Sequence, residues 1–421
     1  MLTVTAAQRR ARLVHRHLLT PAARESATVE EVVAALVCLH ATEPATVHLS
    51  VAARSRADRA AVERALYVDR TVVKQLAMRR TLFTFPVDLL PPVWASASAR
   101  VAAQLGTRLA GEVVANGLTD DGARWVRDAG ESVLEVLADG PATTAELRER
   151  LPELSRRLEM HPDKSYGGNF PVAPRLMSTL AASGRVLRGE NDGGWRTSRP
   201  RWTRTEQWLG AHVAAADGDG TDGQPLTAAD GYRELVRRWL RSFGPGTTED
   251  LVWWLGATRG AVRAALADLG AVEVVLAPDH PDRAACGAEV STGWLLPDDL
   301  ADVTDPADSA SPADPVAALL PVLDATVMGW KQRDFYLDPQ DAPRIFDRNG
   351  NAGTTAWWDG RVVGCWVQDP EGRVVVVPLH DLDDEPAHLL QAEADRLTTW
   401  LDGEIVSTVY PSPLMRSARP S

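Results

Sequence analysis

Two stretches of the sequence nearly repeat each other: Gly-Pro-Ala-Thr-Thr-Ala-Glu-Leu at residues 140–147 and Gly-Pro-Gly-Thr-Thr-Glu-Asp-Leu at residues 244–251. Each stretch follows one amphipathic segment and opens another. The Gly-Pro pair ends a helix, and the threonines that follow are favourable N-caps for the next helix. This order is typical of a helix-turn-helix, so the chain is predicted to contain repeated nucleic-acid-binding modules.

The length and the cysteines limit the class of protein. A chain of 421 residues is predicted to form two to four domains. No apolar run reaches the roughly 18 residues of a membrane span, and the Arg-rich N-terminus lacks the apolar centre of a secretory signal. Cys38, Cys286 and Cys365 are too far apart in sequence to suggest a zinc site or a disulfide framework. We therefore expect a cytoplasmic protein with no metal and no other cofactor.

Charge is distributed unevenly along a chain whose net charge is −12. Residues 1–110 contain 15 Lys and Arg against 8 Asp and Glu, whereas residues 211–230 and 298–315 contain four and six Asp and no basic residue. An acidic protein can still present one basic face to phosphate. The alternative is that the basic N-terminal part is only a solvated helical surface.

The first 115 residues have the order of a winged helix. Helices are predicted at 5–19, at 29–39 behind the capping box Thr28–Glu31, from Pro44 to Arg54, and at 71–78. Residues 80–85 alternate and are rich in β-branched and aromatic side chains, which predicts a strand.

Two further modules are predicted around the repeats. The second combines helices at 123–138 and 174–183 with a wing formed by residues 185–188 and 194–197, and Thr143–Glu146 is its capping box. The third combines helices at 230–242, 247–255 and 258–268 with strands at 271–276 and near Trp294. At the C-terminus, strands at 354–363 and 373–378, an Asp359-Gly360 turn and a helix at 386–402 are predicted.

The predicted fold class is therefore α+β: tandem winged-helix (helix-turn-helix) modules with a C-terminal β-barrel-like domain. The predicted boundaries are 1–115 for the first module, 116–211 for the second, 212–229 for an acidic linker, 230–297 for the third module, 298–315 for another acidic linker, and 316–410 for the β-rich domain.

In this order of segments the chain resembles the bacterial winged-helix DNA glycosylases of the azinomycin-resistance type, which excise bulky alkylated purines and unhook interstrand crosslinks. The resemblance covers residues 5–405 and implies tandem winged helices around the duplex, with a C-terminal β-barrel. The residues that carry it are Leu39–Pro44 with Arg54, Met78–Leu82, Phe243–Pro245 with Asp250 and Trp254, Leu320–Asp324, and Asp359–Trp366.

The catalytic motif of that family has Gln, an apolar residue, and Gln or Asp before an acidic-Pro pair. This sequence has His40-Ala41-Thr42 there, followed by Glu43. An alkylated purine is cationic and leaves readily, so the enzyme must mainly position a water and stabilise an oxocarbenium-like sugar. The resemblance therefore implies that His40 holds the water or acts as a general base, that Thr42 orients it, and that Glu43 offsets the sugar's positive charge.

Ordinary structural roles are open for the same three residues. His40 can end the helix at 29–39, where imidazole interacts favourably with the negative end of the helix dipole. Thr42 can be the N-cap of the helix entered at Pro44, and Glu43 can be an acid in its first turn.

The predicted partner is double-stranded DNA carrying alkylated purines, bound by a monomer. The predicted DNA-binding residues are Arg54, Arg79, Arg80, Arg196, Arg199, Arg201, Arg259 and Arg263. The predicted function is a monofunctional DNA glycosylase, acting in repair or in self-resistance to a genotoxic natural product. One alternative is a non-catalytic regulator or lesion sensor that binds DNA. Another is a protein that sequesters a genotoxic molecule in a Trp-lined cleft.

Overall fold

The computed structural model describes residues 1–160, 167–210, 225–277, 291–301 and 315–418. The chain forms two compact units: unit 1 comprises residues 1–72, 84–86 and 233–421, and unit 2 comprises residues 73–83 and 87–232. Both contain helices and strands, so the predicted mixed α+β class is confirmed. None of the helices in the described part of the chain is long and apolar enough to span a membrane.

Unit 1 contains the N-terminal helices and the C-terminal sheet. Its helices are Ala6–Arg16, Pro21–Ser26, Val29–Ala35, Pro44–Ala52, Arg59–Glu63, most of Ala228–Phe243, Thr248–Leu255, Arg259–Asp268, Ala325–Met328, Ala342–Ile345, Asp384–Leu401 and Pro413–Ser417. Its strands are Thr3–Thr5, Leu39–His40, Val272–Ala277, Ser291–Leu295, Ala317–Leu320, Thr355–Trp358, Arg361–Gln368 and Val374–Pro378.

Two sheets organise the C-terminal half of unit 1. Thr3–Thr5 pairs in parallel with Val272–Ala277, which pairs antiparallel with Ser291–Leu295. The last four strands pair in chain order as an antiparallel sheet. Asp359 and Gly360 turn between two of them with φ of 43° and 75°, so the predicted turn is confirmed. Among the described residues these strands form an open four-stranded sheet rather than a closed barrel.

The basic first helix, Ala6–Arg16, lies in the interior of unit 1 and not on a DNA-facing or solvated surface. Three of its arginines are nine-tenths or more buried: Arg9, Arg10 and Arg12. Arg12 and Arg16 form ion pairs at 3.3 Å and 3.0 Å with Asp299, whose carboxylate is fully buried. Asp299, which lies within the predicted linker 298–315, is therefore part of the folded interior rather than of a linker. Residues 302–314 of that predicted linker lie outside the described residues.

Unit 2 is built around a helical core. Its helices are Leu90–Val93, Ala99–Ala115, Gly122–Ala138, Thr144–Arg150, Ala173–Ala182 and Thr205–Leu209, and its strands are Arg157–Met160, Gly168–Pro171, Val186–Asn191 and Pro200–Arg204. Val133, Leu137, Leu176 and Leu180 pack in one apolar cluster between the long helices. Burial of these side chains supplies the main stabilisation of the unit.

The two sequence repeats adopt the same local structure. In unit 2 the indole Nε1 of Trp202 donates to Oγ1 of Thr144 at 3.0 Å, and in unit 1 Trp294 donates to Thr248 at 3.0 Å. Each tryptophan also pairs through its backbone with the third residue of its repeat. Each repeat therefore joins the start of a helix to a strand that follows much later in the chain.

Several predicted elements differ in the structure. Residues 71–78 were predicted to be helical, but Val72–Leu76 is a strand, because its adjacent valines favour extended backbone. The strand predicted at 194–197 lies instead at Pro200–Arg204. Residues 194–197 belong to a loop in which the Asn191 side chain donates to the carbonyls of Gly194 and Thr197. The hairpin formed by Arg157–Met160 and Gly168–Pro171 was not predicted at all.

Candidate active site

The motif turn joins a two-residue strand to a helix. Leu39–His40 is the strand, and the helix Pro44–Ala52 begins with proline at its first position, where the missing N–H costs least. The preceding helix ends at Ala35, so His40 cannot cap it. Glu43, not Thr42, occupies the N-cap position, and its side chain makes no cap hydrogen bond. The ordinary structural roles open to these residues are therefore not the ones observed.

His40 and Thr42 are neighbours within this turn. The Thr42 backbone N–H lies 3.4 Å from Nδ1 of His40, a long contact in which the imidazole is the acceptor. The neutral ring then carries its proton on Nε2. Thr42 is exposed and His40 is half-buried, so both side chains reach solvent. The turn thus brings together an imidazole and a hydroxyl, two polar side chains that can bind water.

Glu43 points elsewhere, towards the C-terminal segment of the chain. It is 8% exposed, and its Oε1 accepts from the Thr408 hydroxyl and from the Val409 backbone N–H, both at 2.7 Å. Burial raises the pKa of Glu43 above its ordinary value, and these two hydrogen bonds act in the opposite direction. No hydrogen bond to Oε2 is present among the described residues.

A small cavity of about 40 Å³ lies beside Glu43. Its wall includes Thr46, Trp366, Gln368 and Thr408. A water needs roughly 10–15 Å³ of such space, whereas a benzene ring occupies an engineered cavity of about 150 Å³. The cavity therefore admits water but not a purine.

Arg54 is fully buried and binds Asp324 through two parallel hydrogen bonds of 2.9 Å and 2.7 Å. Ser50 and the Thr326 backbone N–H complete the partners of that carboxylate, at 2.7 Å and 2.9 Å. The prediction of a DNA contact at Arg54 is therefore wrong, because its guanidinium has no surface to offer a phosphate. Arg54 instead fixes the C-terminal end of the helix Pro44–Ala52.

Arg79 and Arg80 form the tip of a tight turn in unit 2. Both residues are exposed, and their φ angles are 54° and 59°. The Thr81 N–H donates to the Met78 carbonyl at 3.0 Å, which closes the turn around them. Left-handed backbone is unfavourable for residues with a Cβ and is usually occupied by Gly or Asn. Two adjacent arginines therefore carry backbone strain at one exposed tip.

The other predicted DNA-binding arginines differ in whether their side chains form ion pairs with acidic residues. Arg201 bonds Glu146 and Asp192, at 3.1 Å and 3.3 Å, and Arg259 pairs with Glu249. Arg263 is exposed, and the described residues provide its side chain with no ion pair or hydrogen bond. Arg196 and Arg199 are both exposed, in the loop between the strands Val186–Asn191 and Pro200–Arg204.

Sequence reasoning missed the partners of the motif. Thr408 and Val409 follow Glu43 by 365 and 366 residues, and Asp324 follows Arg54 by 270. The Leu320–Asp324 segment was singled out by resemblance alone, without a reason for its aspartate. The segment around Thr408 had no signal of its own.

Comparison with protein-family models identifies the chain as a DNA glycosylase, an enzyme that hydrolyses the bond between a base and its deoxyribose. The model described as "DNA glycosylase AlkZ-like" matches residues 33–400. The chain therefore belongs to the AlkZ-like DNA glycosylase family.

The fold is also similar to that of a solved structure, the Streptomyces sahachiroi DNA glycosylase AlkZ. The TM-score is 0.69 and the sequence identity 21%, over 94% of this chain and 98% of that chain. No curated protein matches the sequence.

Proposed function

We propose that this glycosylase acts on bulky N7-alkylguanine or N3-alkyladenine adducts or on crosslinks in double-stranded DNA, in repair or in self-resistance to a genotoxic natural product. The observation that carries the proposal is the polar turn of His40 and Thr42, held at the end of a strand. Neither side chain has the structural role that its position in the sequence suggested. A half-buried imidazole beside an exposed hydroxyl suits the capture of one water.

In the proposed reaction the N-glycosidic bond breaks first, and its electron pair leaves with the cationic base, which departs as a neutral molecule. Water then adds to C1′ of the sugar cation and releases one proton to the solvent. His40 donates from Nε2 to the water oxygen, and the Thr42 hydroxyl fixes its orientation. A neutral donor is sufficient because alkylation already makes the base a good leaving group. Glu43 stabilises the positive charge that develops on the sugar.

We also propose that the helix-turn-helix segments of both units are winged-helix modules that bind the duplex. The common order of three helices followed by paired strands, and the repeated Trp–Thr hydrogen bond, support this assignment. The residues proposed to contact DNA are Arg79, Arg80, Arg196, Arg199 and Arg263, with smaller contributions from Arg201 and Arg259.

The substrate class is tested by single-turnover base release from duplexes that carry either a bulky N7-alkylguanine or N7-methylguanine. We expect faster release of the bulky base. Equal or faster release of the methylated base would contradict the assignment to bulky adducts. Specific binding to undamaged DNA without any release would instead favour the non-catalytic regulator.

Replacing Arg80 by Gly should weaken DNA binding without lowering the stability of the protein. Gly relieves the left-handed backbone, so the free energy of unfolding should stay unchanged or rise by up to about 1 kcal/mol. Loss of one phosphate contact should reduce the slope of log K against log salt by about 1. Urea denaturation and salt-dependent DNA binding measure the two effects.

The matched control is Arg80→Ala, which removes the same charge but keeps the strained backbone. It should weaken DNA binding as much as Arg80→Gly does, with no gain in stability. If either variant keeps the salt dependence of the wild type, Arg80 does not contact phosphate.

Arg263 and Arg201 should differ in their effect on binding. Arg263→Ala should reduce the salt slope by about 1, because this side chain has no described partner to give up. Arg201→Ala should change it by less than half as much, since that guanidinium already bonds two carboxylates. Fluorescence anisotropy with a labelled duplex measures both slopes, and the opposite order would contradict the proposal.

A further inference from the structure

We propose that Thr408 is a positioning residue of the active site, whose hydroxyl holds the Glu43 carboxylate in place and keeps it ionised for the reaction. The inference rests on the proposed function, because it assigns a task to Glu43 in base excision. It adds a part of the chain that the family model does not include, since that match ends at residue 400.

The hydrogen bonds around Thr408 fix the direction of its hydroxyl proton. Oγ1 of Thr408 accepts from the Tyr410 backbone N–H at 2.9 Å and donates to Oε1 of Glu43 at 2.7 Å. The Val409 N–H donates to the same oxygen. Both bonds favour the charged carboxylate, because an ionised carboxylate can only accept.

Only one of the two carboxylate oxygens of Glu43 accepts these hydrogen bonds. The carboxylate does not cap its own helix, although it occupies the N-cap position. Oε1 accepts two hydrogen bonds, whereas Oε2 has no hydrogen-bond partner among the described residues. Glu43 is one of the residues that line the water-sized cavity. Oε2 is not among the fully buried atoms that lack a partner, so it is accessible to water, and a carboxylate oxygen placed in this way can act on a substrate.

Few groups influence the pKa of Glu43. Burial and then the two hydrogen bonds are the influences on its pKa, and no charged side chain is among them. The titratable group on the segment that faces it is Tyr410, whose pKa is raised by burial, then by Glu43, then by Asp347. The motif itself contributes His40. Removal of the Thr408 hydroxyl should therefore act on Glu43 directly.

The test combines a titration with kinetics in the full-length protein. Glu43 is followed by NMR of ¹³C-labelled glutamate carboxyl groups, with its signal assigned by its loss in Glu43→Gln. A hydrogen bond to a charged group contributes enough to shift a pKa by about one unit or more. Thr408→Val should therefore raise the pKa of Glu43 by about one unit, and Thr408→Ser should leave it near the wild-type value.

Single-turnover base release from an N7-alkylguanine duplex is then measured against pH. In Thr408→Val the acid limb should move to higher pH by the same amount, which is about a tenfold slower release on that limb. Thr408→Ser should restore the wild-type profile. Thr399→Val removes a hydroxyl that bonds only the Asp395 carbonyl and should change neither measurement.

The outcomes separate this inference from the proposed function. Wild-type release with an unchanged profile in Thr408→Val, whether or not the pKa of Glu43 moves, overturns the inference and leaves the glycosylase assignment standing. An unchanged pKa of Glu43 overturns it as well. Absence of release by the wild type, with the titration shift present, refutes the proposed function and the catalytic use of Glu43 together.

Discussion

Replacing His40 by Ala should slow the release of an alkylated base by about 100-fold or more, because a misplaced or unassisted water costs about that much. The measurement is single-turnover release from a duplex with one N7-alkylguanine. Folding is checked by the melting temperature, which the substitution should hardly change, since His40 is only half-buried.

His40→Gln is the informative companion, because the family motif has glutamine at this position. A carboxamide can also donate to a water, so this variant should keep most of the activity that His40→Ala loses. If the rate of base release falls equally in both variants, the imidazole acts as a general base rather than as a neutral hydrogen-bond donor. If neither loses it, His40 is not catalytic and the chemistry belongs to Thr42 or Glu43.

Replacing Arg54 by Met should lower the free energy of unfolding by about 3–5 kcal/mol, because it leaves Asp324 buried without its counter-charge. Urea denaturation at pH 7 measures the loss. The double variant Arg54→Met, Asp324→Leu should lose less than Arg54→Met alone, since no uncompensated charge then remains. Equal stability of wild type and Arg54→Met would contradict this account of the ion pair.

The same ion pair predicts how stability depends on pH. Burial alone would raise the pKa of Asp324, but Arg54, Ser50 and the Thr326 N–H outweigh it and leave the pKa below its ordinary value. A carboxyl whose pKa is depressed by folding stabilises the protein above its unfolded pKa of about 3.9. This stabilisation should therefore be lost as the pH falls below about 4, and the loss should be absent in the double variant.

Local signals in the sequence predicted local structure well. The capping boxes at Thr28–Glu31 and Thr143–Glu146 are present as predicted, because each depends on residues three apart. The helices predicted at 123–138 and 174–183 are present at Gly122–Ala138 and Ala173–Ala182, whereas the long helix Ala99–Ala115 was not predicted. The Asp359-Gly360 turn was predicted from two residues with a strong preference for positive φ.

Contacts between distant segments could not be predicted in this way. Four of the eight residues at 9–16 are arginines, and this density predicts a surface helix. Two of these arginines instead form ion pairs with the Asp299 carboxylate, which lies more than 280 residues later in the chain. The strand Thr3–Thr5 gains its partner from Val272–Ala277. Arg79 and Arg80 gave no turn signal, because neither residue type favours the backbone they adopt.

The candidate site was found in part. Resemblance located His40, Thr42 and Glu43, and the structure places the first two together in one turn. It directs Glu43 to Thr408, which no motif indicated. The remaining predicted DNA contact in the motif region, Arg54, is an interior ion pair, since periodicity alone cannot distinguish a surface arginine from a paired one.

The most direct test of the central claim is mass spectrometry of a duplex oligonucleotide carrying one bulky N7-alkylguanine after incubation with the wild-type protein. The account predicts free alkylated guanine and an intact strand with a single abasic site. A duplex that keeps its modified base, in the presence of folded protein that binds it, would contradict the claim that this chain excises alkylated bases.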